Sequence, residues 1–311
     1  MAANLKIVLM GTPQFAIKPF EAIIKAGYNI VGLVSQPDRK IGRKQELVAT
    51  PTKQLAQAYG INVYQVEKIK DDYQFLLKLK PDLIITCAYG QFIPQAVLNI
   101  PKLGCINIHG SLLPKLRGGA PIHHALINGE ENTGISIMKM ALKMDAGDVY
   151  SRHELAINAN DTYDSLALKL SGLAADVIVQ VLPKIINNTL KASPQNEFEV
   201  TFGYNIKPEE ERLNWQNKAL TIDRHIRGLS SIPGANSLLN EMIVKVFKGE
   251  ITSKKSTAEP GKIVGFDHGI LVATLDYDYR ILDLQLAGKK RMEAKEVING
   301  FKTKLINQVL K

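Results

Sequence analysis

The sequence predicts an α/β fold, with a Rossmann-like, mostly parallel sheet in an N-terminal domain and a small OB-like β-barrel in a C-terminal domain. In the first half, near-continuous apolar runs alternate with helical stretches, which is typical of parallel strands covered by helices on both faces. In the last third, several short β-like segments are separated by turn residues, as in small barrels. The length of 311 residues also exceeds what one hydrophobic core usually serves.

The predicted elements of the first domain follow one another in a βα order. Continuous apolar runs predict strands at residues 5–10, 29–35, 82–88, 104–109 and 134–140. Helical spacing of apolar residues predicts helices over 15–26 and 161–190. Ligands of open parallel sheets bind at the carboxyl ends of the strands, so we expect the functional residues there.

The second domain is predicted to follow a polar stretch that has two prolines and no periodicity, which indicates a linker. Beyond it we predict a short helix and four β-like segments, at 223–230 and at 242–248, 262–266, 269–275 and 280–286. The expected division is a catalytic domain over 1–190, a linker over 191–208 and a barrel over 209–311.

Composition bounds the partners and the compartment. The formal charge of +9 favours a polyanionic partner. No stretch approaches the roughly 18 apolar residues that a membrane span needs, so no membrane partner is expected. Cys87 and Cys105 could form one disulfide by counting alone, but their apolar surroundings favour two buried thiols in a reducing compartment. We therefore expect a cytoplasmic protein.

The most informative segment runs from Gly104 to Val149. Asn107 and His109 lie two residues apart at the end of a predicted strand, so their side chains share one face. An amide beside an imidazole can stabilise an oxyanion and exchange a proton. Asp145 follows in a loop after the next strand. Taken singly, each residue also fits a structural role, as a hydrogen-bonded histidine or a turn residue.

Two other kinds of site are weighed against this one. His109, His123 and His124 could suggest a metal, but no cysteine or carboxylate stands at a suitable spacing, so no metal is predicted. A nicotinamide site would need three glycines after the first strand, where this sequence has only Gly11.

The order Asn107-x-His109, then Ser-Leu-Leu-Pro at 111–114, then Asp145 resembles the formyltransferase family that uses 10-formyltetrahydrofolate. The resemblance implies that a primary amine attacks the formyl carbon, with Asn107, His109 and Asp145 catalytic. Asp145 would either orient His109 or accept a proton through water. The folate, a cosubstrate and not a tightly bound cofactor, would contact Ser111, Leu112, Leu113, Pro114, Tyr89 and Gly90.

Basic residues point to the acceptor. The polar loop after the second strand resembles the inserted loop of the tRNA-specific members, and its basic residues are Arg39, Lys40, Arg43 and Lys44. Residues 225–235, 259–264 and 284–292 resemble the C-terminal domain of those members, although Ile232 stands where they usually have Trp. The last of these segments adds Lys289, Lys290 and Arg291. Each cluster also fits a solvated surface.

The resemblance thus implies initiator methionyl-tRNA as the acceptor. Separately, we expect the chain to be a monomer. Two alternatives stay open at this point. One is a formyltransferase that acts on a sugar nucleotide, whose second domain can also resemble a barrel. The other is a tRNA-binding module without catalysis, which would have no need of Asn107, His109 and Asp145.

Overall fold

The computed structural model describes residues 5–41 and 45–311, and these form two compact units. The first unit contains the residues up to Pro121 together with 132–156 and 167–204. The second contains 122–131, 157–166 and 205–311. Residues 191–204, within the predicted linker, therefore belong to the first unit, because their backbone hydrogen bonds are made to it.

The first unit is built on a seven-stranded sheet. Its strands are β1 (Lys6–Gly11), β2 (Asn29–Ser35), β5 (Val63–Gln65), β6 (Leu83–Cys87), β7 (Cys105–His109), β8 (Asn132–Lys139) and β9 (Val149–Ala156), with the hairpin β3 (Arg39–Ile41) and β4 (Glu46–Val48) outside this sheet. The helices are α1 (Ile17–Lys25), α2 (Pro51–Ala58), α3 (Gln74–Leu79), α4 (Gln95–Leu98), α5 (Pro121–Asn128) and α6 (Tyr163–Ile186), of which α5 and α6 extend into the second unit.

The strand order is β5-β2-β1-β6-β7-β8-β9. The first five strands in this order are parallel, whereas β8 and β9 run antiparallel to their neighbours. The prediction of a mostly parallel sheet is confirmed. The chain turns from one side of β1 to the other between β5 and β6, so the carboxyl ends of β1 and β6 flank the crevice where such sheets bind ligands.

Gly11 shows how tightly this crevice is built. A Cβ at Gly11 would lie 2.6 Å from the carbonyl oxygen of Cys87 and 2.7 Å from the ring of Phe20. Only glycine lets β1 end this close to β6 and α1. Cys87 and Cys105 are both buried and free, on the adjacent strands β6 and β7. The prediction of two buried thiols is confirmed.

The long helix α6 corrects the expectation that no segment is apolar and long enough to span a membrane. By length and composition it could cross a membrane, since its most apolar window has a mean hydropathy of 1.6. The helix nevertheless has a buried apolar stripe, formed by Leu166, Leu170, Ala174, Ile178 and Leu182. Residues spaced by three or four lie on one helical face, so this stripe is that of a core helix, and such helices pass the same test.

The second unit is a closed antiparallel barrel. Its elements are α7 (Ala219–Leu229), β10 (Ala235–Leu239), β11 (Met242–Lys255), β12 (Ile263–Phe266), β13 (Ile270–Val272), β14 (Tyr277–Leu286), β15 (Met292–Glu293) and α8 (Ala294–Leu305). The sheet order is β10-β11-β14-β13-β12. The last residues close it, because Leu310 pairs with Leu239 beside β11 and Val309 pairs with Lys262 next to β12. The predicted barrel is therefore confirmed.

Strand β11 is longer than the predicted strand over 242–248. The prediction ends this strand at Lys248, but the register shifts on both sides of that residue and the strand continues to Lys255. A Cβ at Gly249 would lie 2.3 Å from the ring of Tyr279, a buried core residue. The glycine therefore marks an irregularity within a strand and not its end.

Candidate active site

Strand β7 places Asn107 and His109 at the carboxyl edge of the parallel strands. Asn107 lies opposite Thr86 on β6 and Met138 on β8, and His109 lies opposite Ser136. The sheet therefore fixes the backbone of both residues. Since they are two residues apart on a strand, their side chains share one face.

Asp145 reaches the same point from the loop between β8 and β9. One carboxylate oxygen lies 3.6 Å from Nδ1 of His109 and accepts a hydrogen bond of 2.9 Å from the backbone N–H of Gly118. The other lies 3.5 Å from Nδ2 of Asn107. The amide, the imidazole and the carboxylate that the sequence singles out are thus brought together.

Thr86 sets the orientation of the Asn107 amide. Its hydroxyl donates to Oδ1 of Asn107 at 2.8 Å, and its next nearest oxygen is Ile106 O at 3.2 Å. The NH₂ end then faces Asp145, whose carboxylate can only accept. Sequence reasoning misses Thr86, although one hydroxyl in an otherwise apolar strand is a detectable signal.

His109 is 5% exposed and both of its ring nitrogens have an oxygen neighbour. Nε2 lies 3.1 Å from the carbonyl oxygen of Leu116, and Nδ1 faces Asp145. A carbonyl oxygen and a carboxylate are both acceptors, so a proton on either nitrogen has a partner. Leu116 and Gly118 act here only through their backbone, which residue type does not reveal.

The Ser-Leu-Leu-Pro loop is more deeply packed than its sequence suggests. The hydroxyl of Ser111 donates to Lys115 O at 2.6 Å. Leu113 is buried with Met138 and Val149 in a small core cluster, and Pro114 is also buried. Leu112 is partly exposed. The two leucines therefore differ, since the side chain of Leu113 belongs to the core.

Tyr89 and Gly90 lie just beyond β6, at the crevice between β1 and β6. The carbonyl oxygen of Tyr89 accepts from Thr12 Oγ1 at 3.0 Å and from Gln36 Nε2 at 3.3 Å, which ties together the loops after β1, β2 and β6. Tyr89 is 4% exposed, and burial raises the pKa of its phenol to about 12. Its hydroxyl is buried with no hydrogen-bond partner within the described residues.

The predicted tRNA-binding residues are exposed where the structure describes them. Arg39, on β3 in the first unit, lies 3.1 Å from the carboxylate of Glu67, and Lys40 follows it on the same short strand. Arg43 and Lys44 lie outside the described residues. In the second unit Lys289, Lys290 and Arg291 are exposed.

Arg291 also makes two local contacts. It forms an ion pair of 2.6 Å with Asp283, and its guanidinium lies 4.3 Å from the ring centroid of Phe247.

His123, on α5, contacts an aromatic ring and a backbone carbonyl oxygen. The ring of His123 stacks on Tyr163 at 3.9 Å, and its Nε2 lies 3.3 Å from the carbonyl oxygen of Ile232. Burial lowers the pKa of His123 to about 4. Within the part of the chain that the structure describes, no group of three or more metal-ligating side chains is placed to hold an ion.

Comparison with known proteins identifies the family of the chain. Residues 5–182 match the formyl transferase family model, and 205–302 match the model of the formyl transferase C-terminal domain. The methionyl-tRNA formyltransferase of Malacoplasma penetrans (strain HF-2) is 43% identical over 298 residues, covering 96% of this chain and 94% of that protein. That of Bacillus mycoides (strain KBAB4) is 45% identical over 305 residues, covering 97% of each.

Among solved structures, HypX from Aquifex aeolicus in complex with tetrahydrofolic acid has the same fold, with a TM-score of 0.67 at 17% identity. The match covers 97% of this chain and 48% of HypX, so this chain spans about half of that protein. With both of its parts matched by family models and 43–45% identity over nearly its whole length, the chain belongs to the formyltransferase family.

Proposed function

We propose that this formyltransferase transfers the formyl group of 10-formyltetrahydrofolate to the α-amino group of initiator methionyl-tRNA, and that Asn107, His109 and Asp145 act on the reacting atoms. The products are N-formylmethionyl-tRNA, used in translation initiation, and tetrahydrofolate. The observation that carries the proposal is the convergence of these three side chains at the carboxyl edge of β7. The sequence is 43–45% identical to methionyl-tRNA formyltransferases over nearly its full length, which favours this acceptor over a sugar nucleotide.

The reaction begins when the neutral amine attacks the formyl carbon. An α-amino group has a pKa of about 8, so a substantial fraction is already neutral near pH 7.5. Attack turns the carbonyl oxygen into an oxyanion, to which Nδ2 of Asn107 donates a hydrogen bond. One such donor typically contributes about 3–4 kcal/mol to the transition state. The bond from the carbon to N10 of the folate then breaks.

Two proton movements accompany these bond changes, because the amine loses a proton and N10 gains one. His109 can serve both steps as a base and then as an acid. Asp145, at 3.6 Å from Nδ1, orients the ring and stabilises its charged form. The hydrogen bond from Gly118 to the same carboxylate oxygen supports this orienting role over proton transfer through water.

The folate site is assigned to the crevice beside these residues. Tyr89 and Gly90 would provide one side and the loop 111–114 the other, with the partly exposed Leu112 available for contact and the buried Leu113 and Pro114 supporting the loop. Tyr89 would contribute through its backbone, because its side chain is buried in a core cluster with Val8, Met10 and Ile84.

The tRNA is assigned to the basic residues of both units. Arg39, Lys40, Arg43 and Lys44 would contact phosphates from the loop after β2, and the barrel over 209–311 would add Lys289, Lys290 and Arg291. Phosphate contacts position a nucleic acid without reading its sequence. A charged tRNA is a cytoplasmic substrate, and we place the enzyme there, acting as a monomer.

The direct test is incubation with labelled 10-formyltetrahydrofolate and aminoacylated initiator tRNA. We expect label on the methionyl amino group, with uncharged tRNA as the control that remains unlabelled. Transfer to a UDP-amino sugar in place of the charged tRNA would contradict the proposed acceptor. Binding of the tRNA without transfer would contradict catalysis.

A further inference from the structure

Residues 193–203 are hydrogen-bonded at both ends to other parts of the first unit. Ser193 and Val149 exchange backbone hydrogen bonds of 2.9 and 3.0 Å. Farther on, Arg117 N donates to Thr201 O at 2.9 Å, and Gly203 N donates to Arg117 O at 2.8 Å. We call residues 193–203 the strap. It runs beside residues 116–118, whose backbone contacts His109 and Asp145.

Arg117 is the most unusual residue under the strap, because its side chain is 0% exposed. Its guanidinium donates to Oε1 of Gln195 from Nε at 3.0 Å and from Nη2 at 2.9 Å, and it pairs with Glu197 at 2.7 Å. A buried guanidinium is costly unless such partners satisfy it. Both partners come from the strap, so the strap holds residues 116–118 through this side chain.

Gln195 links the Arg117 guanidinium to the loop that contains Asp145. While its Oε1 accepts from Arg117, its Nε2 donates to the carbonyl oxygen of Asp145 at 2.8 Å and to that of Gly147 at 2.7 Å. Asp145 has a φ of +49°, a conformation that residues other than glycine seldom adopt without support from their surroundings. The side chain of Gln195 supplies that support.

Glycine is needed at position 118, where the strap approaches residues 116–118 most closely. A Cβ at Gly118, whose φ is +131°, would lie 2.5 Å from the carbonyl oxygen of Gly203. The close approach keeps the N–H of Gly118 within 2.9 Å of the Asp145 carboxylate. Strap, residues 116–118 and the Asp145 loop therefore form one hydrogen-bonded assembly around His109.

We propose that Gln195 and Arg117 are positioning residues for formyl transfer, which hold Asp145 and the carbonyl of Leu116 at the two nitrogens of His109. The inference rests on the proposed function for its kinetic consequence, but the placement of the His109 ring can be measured without substrate. The strap, which the sequence presents as a linker, thereby becomes part of the catalytic apparatus.

The decisive variant is Gln195→Glu. Its carboxylate still accepts from Arg117, but it has no N–H for the carbonyls of Asp145 and Gly147. A misplacement of about 1 Å in an active site can cost about 100-fold in rate, so we expect kcat to fall roughly 10- to 100-fold, with both KM values within about twofold. The control is Gln180→Glu, the same change on the exposed face of α6, which should keep wild-type kcat.

The second readout is the ¹⁵N spectrum of the imidazole rings in the ligand-free protein. The chain has six histidines, and the His109 signal is identified by its loss in His109→Asn. We expect Gln195→Glu to shift the His109 signal, while the signals of the other rings and the Tm stay close to wild type. Gln195→Met, of similar length, also lacks the N–H groups and should shift the His109 signal in the same way, but with a lower Tm because Arg117 loses an acceptor.

Unchanged kcat and an unchanged His109 signal in Gln195→Glu would overturn the inference. Failure of both Gln195 variants to fold, with Gln180→Glu folded, would also overturn it, because the role would then be structural. If the wild type transferred no formyl group to charged tRNA, the proposed function would fail. The shift of the His109 signal would still decide whether Gln195 positions the ring.

Discussion

The cluster of Asn107, His109 and Asp145 and the basic residues assigned to tRNA are built in opposite ways. Each member of the cluster is held by a neighbour inside the fold: the amide by Thr86, the imidazole by Leu116 and the carboxylate by Gly118. Arg39 and Arg291 stand in solvent, 62% and 43% exposed, with one carboxylate partner each. Groups that act on a reacting carbon need a fixed geometry, whereas groups that attract phosphates need exposure and charge.

This contrast predicts that changes in the buried cluster act on kcat and changes in the basic residues act on the KM for tRNA. The largest effect is expected for Asn107→Ala, which removes the proposed donor to the oxyanion. We expect kcat to fall about 100- to 1000-fold in steady-state formyl transfer. The affinity for methionyl-tRNA, measured by filter binding, should stay within about twofold. An equal loss of tRNA binding and turnover would favour a tRNA-binding role for Asn107 and contradict the division between effects on kcat and effects on KM.

His123 is a second, partly buried histidine, and its surroundings predict that the stability of the protein depends on pH. His109 has an oxygen beside each ring nitrogen, whereas Nδ1 of His123 is buried without a hydrogen-bond partner among the described residues. The folded pKa of His123 is about 4, below the 6.5 of an ordinary histidine. Unfolding then takes up a proton between these values, so the stabilisation by the neutral ring is present above pH 6.5 and is lost as the pH falls toward 4.

We expect this loss to amount to about 2–3 kcal/mol. It should appear as a drop in Tm between pH 6.5 and 4 that is smaller in His123→Phe, which cannot titrate but can still stack on Tyr163. The matched control is His268→Phe, since His268 is 82% exposed. Parallel Tm curves for wild type and His123→Phe would show that His123 is not the titrating group.

A smaller kinetic effect is expected for Thr86→Val, which keeps the shape of a side chain that is 2% exposed and removes only its hydroxyl. The Asn107 amide then loses the donor that orients it, and we expect kcat to fall about tenfold, as when one ordinary hydrogen bond is lost. The KM values for the folate and for methionyl-tRNA should stay unchanged. Thr133→Val is the control, because the Thr133 hydroxyl is buried with no hydrogen-bond partner in the described part of the chain. Wild-type kcat in Thr86→Val would mean that the amide needs no such neighbour.

The smallest effect is expected for Arg43→Ala, which should raise the KM for methionyl-tRNA several-fold and lower the salt dependence of binding by about one phosphate contact. The KM for the folate and kcat should not change. Lys25→Ala removes a charge from a lysine that pairs with Glu21 on α1 and serves as the control. A normal KM for tRNA in Arg43→Ala would remove the loop after β2 from the binding surface.

The sequence anticipates best the features that depend on local pattern. The buried strands of the parallel sheet follow from apolar runs, and β7 places Asn107 and His109 side by side because strands alternate with a period of two. It anticipates less well the features that depend on a partner far along the chain. The end of β11 was misplaced at Lys248, because the continuation of this strand pairs with β14, far along the chain. Strand β9 was also missed, although the alternating burial of VYSRHELA is a local pattern with a period of two.

By itself, then, the sequence predicted the two-domain architecture and the basic surface, because periodicity and charge are local properties. Its resemblance to a known family singled out the three side chains that meet at the end of β7. Only the tertiary structure decided what holds those side chains. Thr86 is 21 residues from Asn107, and Gln195 is 50 residues from Asp145. The contacts of Leu116 and Gly118 are made by backbone atoms, which every residue has. Such contacts exist only once the chain has folded, and no run of neighbouring residues encodes them.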